Sequence, residues 1–242
     1  AVVEAGGVAN ATFVAGDDSA TGNVLDNDND ADRVSTETVT TTGTFAGTYG
    51  TLVLAANGSY TYTLDNDLPA TQALHATNPG FETFDYTMED DEGATSSSTL
   101  TINITGRNDN PVAVADTYAG APLIEAGSDV AGQASAAGNV LTDGTDDSDV
   151  DAGATLTVTA GGAGLTTGTT VASGSPATIS GTYGTLTLGS DGIYSYALDD
   201  GLPSTQALDD GGTATETFSY VVTDNAGAIA TATLTLTISG SN

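Results

Sequence analysis

Gly47-Thr-Tyr-Gly-Thr-Leu52 and Gly181-Thr-Tyr-Gly-Thr-Leu186 are the same six residues in the same order. Each is followed by an alternating aromatic stretch, Gly58-Ser-Tyr-Thr-Tyr-Thr-Leu-Asp65 and Gly192-Ile-Tyr-Ser-Tyr-Ala-Leu-Asp199. Leu68-Pro69 with Thr71-Gln-Ala-Leu74 returns as Leu202-Pro203 with Thr205-Gln-Ala-Leu208, and Glu82-Thr-Phe-Asp-Tyr86 returns as Glu216-Thr-Phe-Ser-Tyr220. Thr99-Leu-Thr-Ile-Asn-Ile-Thr-Gly106 returns as Thr233-Leu-Thr-Leu-Thr-Ile-Ser-Gly240, and all five pairs share one offset of 134 positions. Upstream, Gly22-Asn-Val-Leu25 matches Gly138-Asn-Val-Leu141 at an offset of 116, so the second copy carries 18 additional residues between these blocks. They fall in a longer Asp-rich loop and in an insertion near 161–179. A repeat of this length is a domain, so the chain divides into residues 1–106, a linker 107–110, and residues 111–242.

Each copy reads as short strands. Thr233 to Ile238 alternates polar and apolar, as does Leu100 to Ile104, and this period of two marks a strand buried on one face. Turn signals separate the strands: Ala56-Asn57-Gly58, Ser190-Asp191-Gly192 and Asn225-Ala-Gly227. In copy two, strands are expected near 111–118, 136–141, 155–160, 182–188, 193–199, 216–223 and 229–239. Seven short strands per copy predict an all-β protein of two tandem Ig-like β-sandwiches. Before Glu4 only Ala1-Val-Val3 remain, whereas a full strand precedes Glu125, so the first strand of copy one is expected to be short. Tyr49 and Tyr183 recur in the same place, which predicts core or corner packing.

Composition narrows the function. The 242 residues carry 32 acids against two basic residues, for a net charge of −30. That excludes nucleic acid and basic docking on an anionic membrane. No run approaches 18 apolar residues, so no membrane insertion is expected. Zero cysteines remove disulfides, thiolate metal sites and cysteine nucleophiles. Residues 1–109 hold 17 acids and both arginines, and residues 110–242 hold 15 acids, so each copy carries −15. Such self-repulsion opposes a compact state unless counter-ions bind.

The order of motifs resembles the VCBS-type repeat of very large bacterial adhesins and RTX-type surface proteins, over nearly all of both copies. Such repeats are similar to cadherin domains, and the resemblance implies sandwiches in tandem with calcium at their junctions, secreted or held at the bacterial cell surface in adhesion and biofilm. The linker Arg107-Asn108-Asp109-Asn110-Pro111 resembles the cadherin junction Asp-x-Asn-Asp-Asn-Pro, with Arg107 in place of the first Asp.

Calcium takes six to eight oxygen ligands, mostly carboxylates and carbonyls. Strand alternation gathers Glu4, Asp65 and Asp67 at the end where copy one finishes. The linker adds Asn108, Asp109 and Asn110. The Asp-rich loop of copy two offers Asp149 and Asp151, and Asp224 opens its last hairpin. These residues are the expected calcium ligands. Asp26, Asp28, Asp30, Asp32 and Asp90 form the corresponding entry end of copy one and are a second expected site. Asp26 to Asp32 departs from an EF-hand loop by lacking Gly at its sixth position and Glu at its twelfth.

His75 is the only histidine, and no Ser/His/Asp or Cys/His set can be built around it, so no enzyme activity is expected. The leading expectation is a calcium-stiffened extender of a secreted adhesin, a monomer whose partners are neighbouring repeats. Two alternatives stand beside it: a module binding host or surface glycan or protein, and an accessory domain of a secreted polysaccharide hydrolase.

Overall fold

In the computed structural model, which describes residues 1–8, 12–14, 16–29, 36–127 and 132–241, the chain is almost entirely strands and turns. It divides into two compact units, residues 1–109 with 150–153, and residues 110–149 with 154–241. Among the described residues no helix is long and apolar enough to cross a membrane.

The first unit contains β1 (Val2–Val3), β2 (Gly6–Val8), β3 (Thr12–Val14), β4 (Ser19–Asn23), β5 (Thr38–Val39), β6 (Gly43–Ala46), β7 (Gly50–Leu54), β8 (Ser59–Leu64), one helical turn α1 (Pro69–Gln72), β9 (Gly80–Glu89) and β10 (Thr95–Thr105). One sheet has the order β1-β10-β9-β5 and the other β4-β8-β7-β6. β1 pairs in parallel with β10, Val2 opposite Ile104, while the other neighbours are antiparallel. The inward faces enclose a core with Val2, Leu52, Tyr62, Tyr86, Ile102 and Ile104.

The second unit repeats this plan with β11 (Asp116–Thr117), β12 (Leu123–Ile124), β13 (Ser135–Asn139), β14 (Thr157–Ala163), β15 (Thr169–Thr170), β16 (Ala177–Ser180), β17 (Gly184–Leu188), β18 (Ile193–Leu198), β19 (Thr213–Thr223) and β20 (Ile229–Ser239). β11 and β12 both pair in parallel with β20. The sheets run β11-β20-β19-β14-β15 and β13-β18-β17-β16. Their core includes Leu123, Val158, Leu186, Tyr196, Phe218, Tyr220 and Leu236. A buried side chain of this size contributes about 1.5–3 kcal/mol, so these alternating strands supply most of the driving force.

The expected pair of Ig-like sandwiches is what the chain forms. Six of the strands expected in copy two match β13, β14 and β17 to β20 within three residues at each end. The additional residues near 161–179 lengthen β14 and add β15 ahead of β16. Strands β6 and β16 were not expected. Gly43-Thr-Phe-Ala46 has one half-buried position and is otherwise exposed, which leaves little periodic signal at an edge.

The recurring Gly-Thr-Tyr-Gly segment has a local cause. Glu82 and Glu216 are 6% and 4% exposed, inside their cores. The backbone N–H of Tyr49 donates to Glu82 Oε1 at 2.5 Å. Glu216 accepts from the N–H groups of Thr182 and Tyr183 and, at 2.5 Å, from the Tyr196 hydroxyl. A Cβ on Gly47 or Gly181 would stand 2.2 Å from the carboxylate oxygen below it, so only glycine fits. Thr71 and Thr205 are fully buried, and their hydroxyls donate to the carbonyls of Tyr49 and Tyr183. Tyr49 and Tyr183 themselves pack half-buried against the two cores.

Candidate metal centre

Glu4 follows β1 directly. The parallel pairing of β1 with β10 carries on for one more residue, because the Glu4 N–H donates to Thr105 O at 3.0 Å. That step turns Glu4 inward, where it is 0% exposed. The Arg107 N–H donates to Glu4 Oε2 at 3.0 Å, while Glu4 Oε1 is buried with no hydrogen-bond partner. Burial pushes the Glu4 carboxyl up to about 7; the Arg107 N–H pulls against this, and the charges of Asp109 and Asp151 add to it. A buried carboxylate oxygen without a donor, near further carboxylates, is costly in its charged form.

Asp109 and Asp151 meet through backbone: the Asp109 N–H donates to Asp151 Oδ2 at 2.8 Å. Asp151 is 7% exposed. Asp224 is 6% exposed, and its Oδ1 accepts the N–H groups of Ala226, Gly227 and Ala228 at 2.6–2.8 Å. It therefore shapes the β19–β20 turn with one oxygen. Asn108 Nδ2 donates to Asp109 O at 2.6 Å, and Asn110 Oδ1 is buried without a hydrogen-bond partner.

The other expected ligands are placed differently. Asp65 and Asp67 are exposed, and Asp65 Oδ1 accepts the Asp67 N–H at 3.0 Å in a local turn. Their neighbour Asn66 reaches Ala5 N–H through Oδ1 at 2.9 Å. Asp26 is exposed, and Asp28 Oδ2 accepts from the Tyr86 hydroxyl at 3.2 Å. Asp90 Oδ1 accepts the N–H groups of Glu92 and Ala94, the same turn that Asp224 makes in the second unit. Asp30 and Asp32 lie outside the described residues.

Glu125 was not among the expected ligands, yet it repeats Glu4. It is 1% exposed, its N–H donates to Ser239 O at 3.0 Å, and the Ser241 N–H approaches its Oε2 at 3.4 Å. Asp200 accepts the Ala126 N–H as Asn66 accepts that of Ala5. The signal was in the sequence: Leu123-Ile-Glu-Ala-Gly127 lines up with Val2-Val-Glu-Ala-Gly6.

The donors at the centre are hard oxygens, with no sulfur and no imidazole. This set fits a calcium-class cation and fits a softer transition metal poorly. The orphaned Glu4 Oε1 is the atom a cation would satisfy.

The family model of the bacterial cadherin-like domain matches residues 1–106 and again 108–240. No curated protein matches the sequence. Among solved structures the chain is similar to human mucin-like protocadherin EC1-2, at 15% identity and a TM-score of 0.42, covering 86% of this chain and 85% of that one. It is similar to protocadherin gammaB7 EC3-6 at 14% identity and a TM-score of 0.40, and to Drosophila N-cadherin EC1-4 at 16% identity and a TM-score of 0.37. It covers 84% and 88% of its own length in these two and spans only 41% and 42% of theirs.

Proposed function

We propose that this chain, which belongs to the bacterial cadherin-like domain family, is a calcium-stiffened extender module of a large secreted bacterial surface adhesin. The family itself makes it an extracellular adhesion-type module. The observation that carries the calcium reading is Glu4, fully buried with an oxygen that meets no donor, beside the charges of Asp109 and Asp151.

In this reading Glu4, Asp109, Asp149, Asp151 and Asp224 bind calcium, with Asn108 and Asn110 adding neutral oxygens. Asp65 and Asp67 are exposed oxygens at the same end of copy one. Asp26, Asp28 and Asp90 belong to a second site at the entry end of copy one, together with Asp30 and Asp32. Calcium supplies positive charge and a demand for many oxygens. The chain's residues supply the geometry: β1 turns Glu4 inward, Asp109 and Asp151 are joined through backbone, and the Asp224 turn holds one carboxylate fixed. Only Arg107-Asn-Asp-Asn110 separates the two repeats in sequence. Ligation by this linker would cost it conformational freedom, and that loss is the proposed stiffening. The role is mechanical and non-catalytic, and the partners are neighbouring repeats.

Isothermal titration of the intact chain with calcium at pH 7.5 tests the reading. Calcium binds wild type with a Kd of about 10⁻⁴–10⁻³ M or tighter, in the range of extracellular calcium modules. Glu4→Gln weakens that binding at least tenfold. Heats that are absent from wild type, or unchanged in Glu4→Gln, would remove calcium from the account.

A further inference from the structure

A separate group of acids and tyrosines lies inside the second unit. Asp116, in β11, is 4% exposed. The Tyr220 hydroxyl is 2.7 Å from Asp116 Oδ2, 2.8 Å from Val114 O and 3.1 Å from Val140 O. A phenol has one proton to donate, so two of these three oxygens receive none from it. The Val114 N–H donates to Asp147 Oδ1 at 2.6 Å, and Asp147 Oδ2 is buried without a hydrogen-bond partner. Asp143 Oδ2 accepts the Asn139 N–H at 2.9 Å.

Tyr194 gives an independent indication. It is 1% exposed, and its hydroxyl has no hydrogen-bond partner. Gly138 fixes where that hydroxyl points: a Cβ there would lie 2.1 Å from Asp143 Oδ2 and 2.8 Å from the Tyr194 hydroxyl. The two oxygens therefore face one small volume, which glycine keeps open. Burial pushes the Asp116 carboxyl up to about 6; the Tyr220 hydrogen bond opposes this, and the Asp147 and Asp143 charges reinforce it. Both arginines of the chain, Arg33 and Arg107, precede the second repeat, so no guanidinium or ammonium of the second repeat offsets these acids.

We propose that Asp116, Asp143 and the Tyr194 hydroxyl hold a second, internal divalent cation of the calcium class, with Asp147 adding charge beside it. The Tyr220 hydroxyl brings Asp116 Oδ2 next to the carbonyls of Val114 and Val140. Hydroxyls, carbonyls and water are all ligands that calcium accepts. The first repeat lacks the same set, because Asn27 stands where Asp143 does, five residues beyond the first Gly of Gly-Asn-Val-Leu. An ion here would tie β11 and the Asp-rich loop to the sandwich and needs no ligand from the first repeat. The site is additional to the extender reading and does not depend on it.

Counting calcium per intact chain by equilibrium dialysis and elemental analysis at pH 7.5 tests this, with far-UV circular dichroism confirming folded variants. Asp116→Asn and Asp143→Asn are each expected to bind one ion fewer than wild type. Tyr194→Phe, which removes one oxygen and keeps the ring, is expected to weaken one class of site several-fold. Asp143 is only half-buried in a turn, so its Asn variant keeps the test valid should Asp116→Asn fail to fold. Wild-type stoichiometry and affinity in Asp143→Asn would overturn the proposal. Ions lost only with Glu4→Gln would overturn this site and leave the other standing; ions lost only with Asp116→Asn and Asp143→Asn would do the reverse.

Discussion

The Arg107 backbone N–H donates to the carboxylate of Glu4 at 3.0 Å, tying two residues 103 positions apart. The second unit repeats the contact between Ser241 and Glu125 at 3.4 Å. In each case a residue just beyond the last strand closes on a buried glutamate that follows a short strand paired in parallel with it. The glutamate thereby senses how the chain leaves its sandwich.

That position makes the metal-free protein sensitive to pH. Glu4 has its carboxyl raised from 4.5 to about 7 in the folded state. A raised carboxyl means that the folded chain holds the proton more tightly than the unfolded chain. The resulting stability is fully present below about pH 4.5 and is lost as pH rises through about 7. Melting in chelator should therefore show a falling contribution from Glu4 between these values. Glu4→Gln should flatten that part of the profile, and the same slope in both proteins would exclude Glu4 as its source.

Calcium should raise stability where chelated protein is weakest. An ion present at 100 times its Kd stabilises the folded state by about 2.7 kcal/mol. The melting temperature at pH 7.5 is expected to rise by several degrees between chelator and millimolar calcium. Coincident melting curves would contradict this.

The Glu216 carboxylate organises its sandwich without metal. Glu216→Ala leaves the N–H groups of Thr182 and Tyr183 and the Tyr196 hydroxyl without their acceptor. Urea unfolding should show a loss of about 3 kcal/mol or more, given about 1–3 kcal/mol for each buried group left unsatisfied. A loss below about 1 kcal/mol would mean that water replaces the carboxylate.

Gly181→Ala tests the same corner from the other side. The added methyl would sit 2.2 Å from Glu216 Oε1, so the carboxylate or the loop must move. Overpacking of this kind costs about 1–3 kcal/mol. Gly211→Ala is a suitable contrast: no atom lies within 4 Å of its Cβ, and its cost comes from φ of +70° alone.

Much of this architecture was legible in the residues. Leu100 to Ile104 and Thr233 to Ile238 alternate, and a buried face then follows from the period of two. Edge strand β6 was not legible, since its largely exposed residues leave no clear alternation; β16 alternates, but over only four residues. The buried glutamates were readable in principle. Glu82 and Glu216 fall on the same face as the Phe and Tyr two and four residues later, so each had to be inside. Asp116 was harder: it lies in a two-residue strand, and only the fold brings it to Tyr220, 104 positions away. Of the Asp-rich loop only Asp149 and Asp151 were expected as ligands; the local role of Asp147, accepting the Val114 N–H, was not legible because Val114 lies 33 positions away.

Small-angle scattering of the intact chain in chelator and in millimolar calcium tests the stiffening most directly. The account predicts a narrower spread of shapes and a longer maximum dimension in calcium. Asp109→Ala, or Asp149→Ala with Asp151→Ala, should abolish that difference while circular dichroism shows both sandwiches folded. Identical scattering with and without calcium, or variants that respond as wild type does, would contradict it.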